Sequence, residues 1–458
     1  MNGKAFFSNK ITFLAIISFV AIIVISLMKS AMELEDAEQA YYSQWWRLGY
    51  DDQPPLYTWL QNSINAILGV SKVSFSLLRA LIFSGILLCL YNFTKEYIRD
   101  EKKSNLVVLS LILIPVFIDF TFRRLSHTSL LCLVVIVTYI IIQKLLTQKI
   151  FVNYIFLGII VGIGILVKYN YILVLLALIG AVFIDKKIRS VFFHKYTLIS
   201  ILIASIIIGP HLYWLITNHE YFTELQNSIV MKTGGDLDSS IIILTPLLSF
   251  SISLLQLFKI IAIFCLVCVL FKKLKFNKQK RDWFMNVLLV QLAILAIFFI
   301  LLNVGKIEER WLLPILLPFL SILISHIKIA NTVKWITVGF YVFIIVISAQ
   351  TLRTPVEKVF KIPSQVHFGF EPISDILNEK YYDKEWILPN VTYAGSIRLL
   401  NSDREIFSAD DFSLPEIKQK SLSGIKVIIG KENLEKQKPI DSLLNYGKRK
   451  ETIYFINH

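Results

Sequence analysis

Residues 11–42 read ITFLAIISFVAIIVISLMKSAMELEDAEQAYY, an 18-residue apolar run from Ile11 to Met28 followed at once by four carboxylates, Glu33, Glu35, Asp36 and Glu38. At 1.5 Å per residue, 18 helical residues reach about 27 Å, close to the thickness of a bilayer's hydrocarbon core. The run is a membrane span with acid concentrated at its far end. Lys4 and Lys10 precede it as in a signal peptide. No small-residue cleavage site follows, so the span reads as retained.

The rest of the chain repeats the pattern. Its 458 residues are 55% hydrophobic and 17% charged, against a charged fraction of about 25% in soluble proteins. Its mean hydropathy is +0.63. The fold class is an all-α polytopic membrane protein of about 11 transmembrane helices. Ten apolar runs follow the first: Phe75 to Tyr91, Leu106 to Ile118, Ser126 to Ile142, Phe151 to Val167, Tyr169 to Ile184, Tyr196 to Ile216, the second half of Ile241 to Phe271, Phe284 to Leu302, Trp311 to Ile327 and Val333 to Ala349.

With the N-terminus inside, the inside segments hold 20 basic residues and the outside loops before residue 350 about nine. That asymmetry places the acidic stretch and the C-terminal tail outside. It also accounts for the net charge of +14, because 31 of the 47 Lys and Arg, against 18 of the 33 acids, lie before residue 351. Nucleic acid is not an expected partner. Cys89, Cys132, Cys265 and Cys268 all lie in apolar runs and are assigned no disulfide or metal.

Two segments depart from simple span-and-loop order. The first outside loop, Ser30 to about Ser71, is rich in Tyr and Trp and carries Pro54-Pro55. It reads as two helices at the lipid interface, hinged at a Pro-Pro turn. Residues 351–458 lose the apolar runs and alternate strand-like stretches (KVIIG, ETIYFI) with helix-like ones (EPISDILNEKY). The organisation is therefore a membrane domain, 1–350, and a small C-terminal α/β domain, 351–458.

The segments LEDAEQAYYSQWWRLGYDDQPPLYTWL, LGIIVGIGILVKYNYILVLL and GKIEERWLLPILLPFL, at residues 34–60, 157–176 and 305–320, resemble a known family. It is that of the GT-C polyprenyl-phosphate-sugar glycosyltransferases, of the protein O-mannosyltransferase and lipid A aminoarabinose transferase type (families 39 and 83). The landmarks cover residues 1 to about 350. The resemblance implies that Glu35 and Asp36 lie in the active site as candidate catalytic residues, in the reverse of the family's usual order. It makes Asp52, or Asp51, a candidate metal or donor contact, with a divalent ion as the possible cofactor. It also matches Lys168 and Lys306 to basic residues of the site. Where relatives often carry a further Asp before the fourth span, this chain reads Phe122-Arg123-Arg124-Leu125-Ser126-His127, which favours direct neutralisation of phosphate by Arg123 or Arg124 over a carboxylate-rich metal site.

The chemistry leads the same way. Sugar transfer from a lipid phosphate needs a base near the acceptor hydroxyl and positive charge on the departing phosphate. Adjacent carboxylates raise one another's pKa, which suits Glu35 and Asp36 to the first need. Arg123, Arg124, Lys168, Lys306 and Arg310, all at outside span ends, suit the second. Plainer readings stand beside these. Glu33 and Glu38 read as a solvated face, Glu35 and Asp36 also suit a helix start, and Lys168 also suits a snorkelling helix end. Arg310 beside Trp311 also suits an interface anchor, and His127, His211 and His219 read as packing or interface residues.

The expected function is transfer of a sugar, with inversion, from a polyprenyl-phosphate donor to a lipid, glycan or protein acceptor at the outer face of a bacterial inner membrane. A transporter or flippase of lipid-linked sugars is the alternative. It calls for buried mid-span charge or broken helices in related halves, of which the sequence shows almost none.

Overall fold

Backbone N–H and C=O groups in lipid have no water to bond, so an apolar run must satisfy them within a helix. The computed structural model follows this rule. It describes residues 3–124, 126–218, 243–276, 281–362, 367–414, 423–434, 438–446 and 451–457, with isolated positions between 223 and 230. Two compact units result. One comprises Met1–Phe19, Asp52–Leu56 and Leu81–Ile347; the other comprises Val20–Asp51, Tyr57–Ala80 and Ser348–His458.

Among the described residues seven helices are long and apolar enough to cross a membrane: Lys10–Met28, Lys72–Ile98, His127–Thr147, Thr197–Thr217, Leu244–Leu270, Trp283–Leu301 and Thr332–Val359. Phe151–Val167 and Tyr171–Ile184 are apolar but shorter. The remaining two expected spans are broken. The third runs as Glu101–Ser110, a 3-10 turn at Leu111–Leu113 and a π turn at Phe117–Thr121. The tenth runs as Glu309–Leu316, Leu317–Phe319 and Leu320–Ser325. Pro115 and Pro318 sit at these breaks, where a missing N–H and a ring clash interrupt the helix.

Within the first unit, Phe151–Val167 packs on Thr197–Thr217 through Gly158 and Gly162. A Cβ on Gly158 would lie 2.7 Å from the Ser200 carbonyl oxygen. The close approach depends on small residues four apart, the usual device for helix contact in lipid. The loop ends are tied in two groups. Tyr97 donates to Asp282 at 2.7 Å, Asn286 to Asp185 at 2.6 Å, Lys103 to the Ser325 carbonyl at 2.7 Å and Lys149 to Ser190 at 2.9 Å. Strand β1 (Leu274–Phe276) pairs antiparallel with β2 (Ile327–Ile329). These residues lie in the segments that the charge count puts inside, or in the adjoining turn of a neighbouring span. In the other group, Ile307 N–H donates to Ser249 at 3.0 Å and Lys168 to Thr128 at 2.9 Å.

The second unit is built on a five-stranded sheet of β3 (Glu385–Leu388), β4 (Phe407–Ser408), β5 (Gly424–Ile429), β6 (Asp441–Tyr446) and β7 (Glu451–Asn457), in the order β4-β3-β5-β7-β6. β3 is parallel to β4 and β5, whereas β7 is antiparallel to β5 and β6. Its core joins Trp386, Leu388, Val427 and Phe455 of the tail to Tyr41, Tyr42 and Tyr50 of the first loop. The two loop helices are present, Leu34–Tyr42 and Leu56–Leu68, with Pro54-Pro55 just before the second. Tyr41, Tyr42, Tyr50 and Tyr57 are at most 5% exposed, whereas Trp46 is 65% and Ile67 82% exposed; Tyr41, Tyr42 and Tyr50 belong to the core shared with the tail.

Candidate functional site

The acidic stretch becomes the helix Leu34–Tyr42, with Glu33 at its N-cap and Glu35 and Asp36 in its first turn. Consecutive residues on a helix do not face each other, and the two carboxylates sit in different environments. Asp36 is 6% exposed and forms an ion pair with Arg79, itself 2% exposed, from the helix Lys72–Ile98. Glu35 is half-buried. The solvated reading of Glu33 and Glu38 is also corrected. Glu33 binds Lys29 at 2.9 Å with its side chain only 11% exposed, and Glu38 is half-buried. Burial makes such pairing necessary, because an isolated charge away from water is costly.

Arg79 is the residue that sequence reasoning passed over. It lies inside the second apolar run, and an ionisable group there is a functional signal in itself.

The helix carrying the acids is fixed by the tail. Tyr41 donates its hydroxyl to Asp411 at 2.9 Å, and Arg47 donates to the same carboxylate at 3.0 Å and to Ser413 at 3.1 Å. Arg398 donates to the Ala40 carbonyl at 2.6 Å. Gly395 lies so close to the loop helix that a Cβ would meet the Ala37 carbonyl at 1.7 Å. Burial holds the Tyr41 and Tyr42 hydroxyls well above the ordinary tyrosine range, and pushes Tyr50 up to about 12. Burial likewise lowers Arg398 to about 10.

The first unit gathers several of the expected cations. Helix Phe151–Val167 stops at Lys168, whose extended backbone lets the side chain turn back to Thr128 at 2.9 Å rather than reach outward as a snorkelling lysine would. His127 Nδ1 lies 3.3 Å from the Val167 carbonyl. That contact closes the end of the same helix and fits a packing role. Arg123 is buried, at 4%. Arg124 lies over the Phe120 ring and 3.4 Å from Asp119, a carboxylate of this loop that the sequence reading did not weigh. His211 is buried, 3.2 Å from the Tyr169 hydroxyl and stacked on Trp214. His219 falls outside the described residues. Lys306 is exposed, and Arg310 pairs with Glu308. Asp52 accepts from Gln53 at 2.9 Å. Among the described residues no three His, Cys, Asp or Glu side chains converge, so no donor set for a divalent ion assembles at Asp52 and no chemical step is assigned to one.

Residues 52–214 match the dolichyl-phosphate-mannose-protein mannosyltransferase family model. The lipopolysaccharide core galacturonosyltransferase RgtB of Rhizobium johnstonii is 31% identical over 207 residues, 45% of this chain and 42% of that protein. RgtA of the same organism is 27% identical over 244 residues, 52% of this chain and 48% of the relative. The chain thus spans less than half the length of each of these relatives. Among solved structures, ArnT from Cupriavidus metallidurans bound to undecaprenyl phosphate matches with a TM-score of 0.62 at 12% identity, covering 97% of both chains. At that identity the likeness is one of fold.

Proposed function

We propose, on the premise that the chain is a member of the GT-C glycosyltransferase family, that it transfers one sugar from a polyprenyl-phosphate donor to the core glycan of a lipopolysaccharide. The reaction is assigned to the outer face of a bacterial inner membrane, a side that the asymmetry of basic residues between the loops supports for the acidic loop and the tail. The observation that carries the reading is the buried ion pair between Asp36, on the first helix after the first span, and Arg79 of the helix Lys72–Ile98. A structural helix start has no need of a buried carboxylate there.

In the reaction an acceptor hydroxyl oxygen attacks the anomeric carbon from the face opposite the phosphate. The bond between that carbon and the phosphate oxygen breaks, and polyprenyl phosphate leaves with the electron pair. Glu35 or Asp36 takes the hydroxyl proton. Arg79 holds the Asp36 carboxylate in one orientation and adds positive charge beside it. Lys168, Arg123 and Arg124 bind the donor's phosphate, with Lys306 and Arg310 as further contacts. That the two relatives are lipopolysaccharide core galacturonosyltransferases supports that acceptor over protein.

Purified protein in lipid discs, given a labelled polyprenyl-phosphate sugar and core lipopolysaccharide, should release polyprenyl phosphate and label the glycan in equal amounts. Movement of the donor across a bilayer without transfer would replace this reading with a flippase.

A further inference from the structure

The first unit holds a cavity of about 270 Å³ lined almost wholly by apolar side chains, among them Leu106, Leu109, Ile261, Leu274, Trp335 and Val338. It lies among helices Glu101–Ser110, Leu244–Leu270 and Thr332–Val359, beside the β1–β2 ribbon. Its size falls just below that of pockets for drug-sized ligands, about 300–1,000 Å³. Such a cavity suits part of one hydrocarbon chain, and no polar molecule would be recognised by these walls.

Cationic side chains gather at one end of its lining helices. Lys102 stands four residues before Leu106 on one lining helix, and Lys334 stands four residues before Val338 on another. Residues four apart share a helix face, so Lys102 sits one turn beyond the cavity, about 6 Å along the axis, and Lys334 directly precedes the lining residue Trp335. Both are exposed. The third lining helix ends at Leu270, just before Lys272 and Lys273. On the ribbon, Lys275 lies directly opposite Lys328, and both are exposed. Like charges directly across a strand pair destabilise it. Among the described residues no carboxylate forms a salt bridge with either; of the acids beside these segments, Glu101 pairs with Lys95, Asp282 accepts from Tyr97, and Asp100 accepts from the backbone N–H groups of Lys102 and Lys103.

We propose that this is a binding site for one anionic phospholipid of the bilayer, with an acyl chain in the cavity and the phosphate among Lys102, Lys275, Lys328 and Lys334. The site is separate from sugar transfer and does not depend on that reading. Each basic residue near an anionic lipid headgroup contributes about fivefold in affinity, so the double variant Lys102→Gln/Lys334→Gln should bind about 30-fold more weakly.

Native mass spectrometry of the detergent-purified chain tests this with phosphatidylglycerol and phosphatidylcholine of identical acyl chains. One phosphatidylglycerol should be retained in preference to phosphatidylcholine, and the double variant should lose that preference. Because both lysines are exposed, the fold should survive their replacement. Val338→Trp, at a position 42% exposed, should lower retention of both lipids with the charges intact. Equal retention of the two lipids by the parent, or phosphatidylglycerol retention unchanged in both variants, would overturn the proposal.

Discussion

Replacing Arg79 with Met removes a guanidinium of similar length and leaves the Asp36 carboxylate in a pocket where it is 6% exposed. The two side chains are 2% and 8% exposed, so water compensates only at the exposed edge of Asp36. Removing one partner of a buried ion pair costs about 3–5 kcal/mol, because the other charge stays buried without compensation. Asp36→Asn in the Arg79→Met background removes that charge, and most of the loss should then be regained. Equilibrium unfolding of the four proteins in mixed micelles gives the cycle. We expect Arg79→Met to be the least stable, with the double variant close to the parent and a coupling of at least 1.5 kcal/mol. A single variant as stable as the parent, or additive losses, would refute the claim that Arg79 holds Asp36.

Three further outcomes follow from the geometry. Tyr41, Tyr42 and Tyr50 have folded pKa values raised above 10 by burial. Their contribution to stability is complete below pH 10 and falls as pH rises toward 12, since only the unfolded chain then releases those protons; tyrosinate absorbance should appear together with unfolding. Lys168→Ala and Arg124→Ala should each weaken binding of a polyprenyl phosphate by about 1.5–3 kcal/mol without loss of fold, measured by titration into discs; unchanged affinity in both would leave them as helix-end residues. Gly158→Val should destabilise by at least 1–3 kcal/mol, because its Cβ meets backbone at 2.7 Å; an unchanged melting temperature would contradict that packing.

The spans were legible because a run such as Ile11–Met28 has few alternatives to a helix in lipid. The two loop helices were legible from Pro54-Pro55. The breaks in the third and tenth runs were signalled by Pro115 and Pro318, whose effect a hydropathy reading averages away. The burial of Tyr41, Tyr42 and Tyr50 was hidden, since Tyr and Trp suit an interface and a core equally well and only the tail's packing decides. The partner of Asp36 was hidden for a different reason: Arg79 lies 43 residues away, and no local periodicity links them. The adjacency of Glu35 and Asp36 suggested a coupled pair, but once the segment is helical adjacent side chains point apart.

The account's central claim is that this helix carries the base of a sugar transfer. A positioned general base contributes about 10²- to 10⁴-fold in rate. The decisive measurement is turnover of the purified parent, Glu35→Gln and Asp36→Asn with a defined polyprenyl-phosphate sugar and lipopolysaccharide core, each protein first shown to be folded. The account predicts a loss of that size in at least one of the two variants, with phosphate-lipid binding retained; full turnover in both would contradict it.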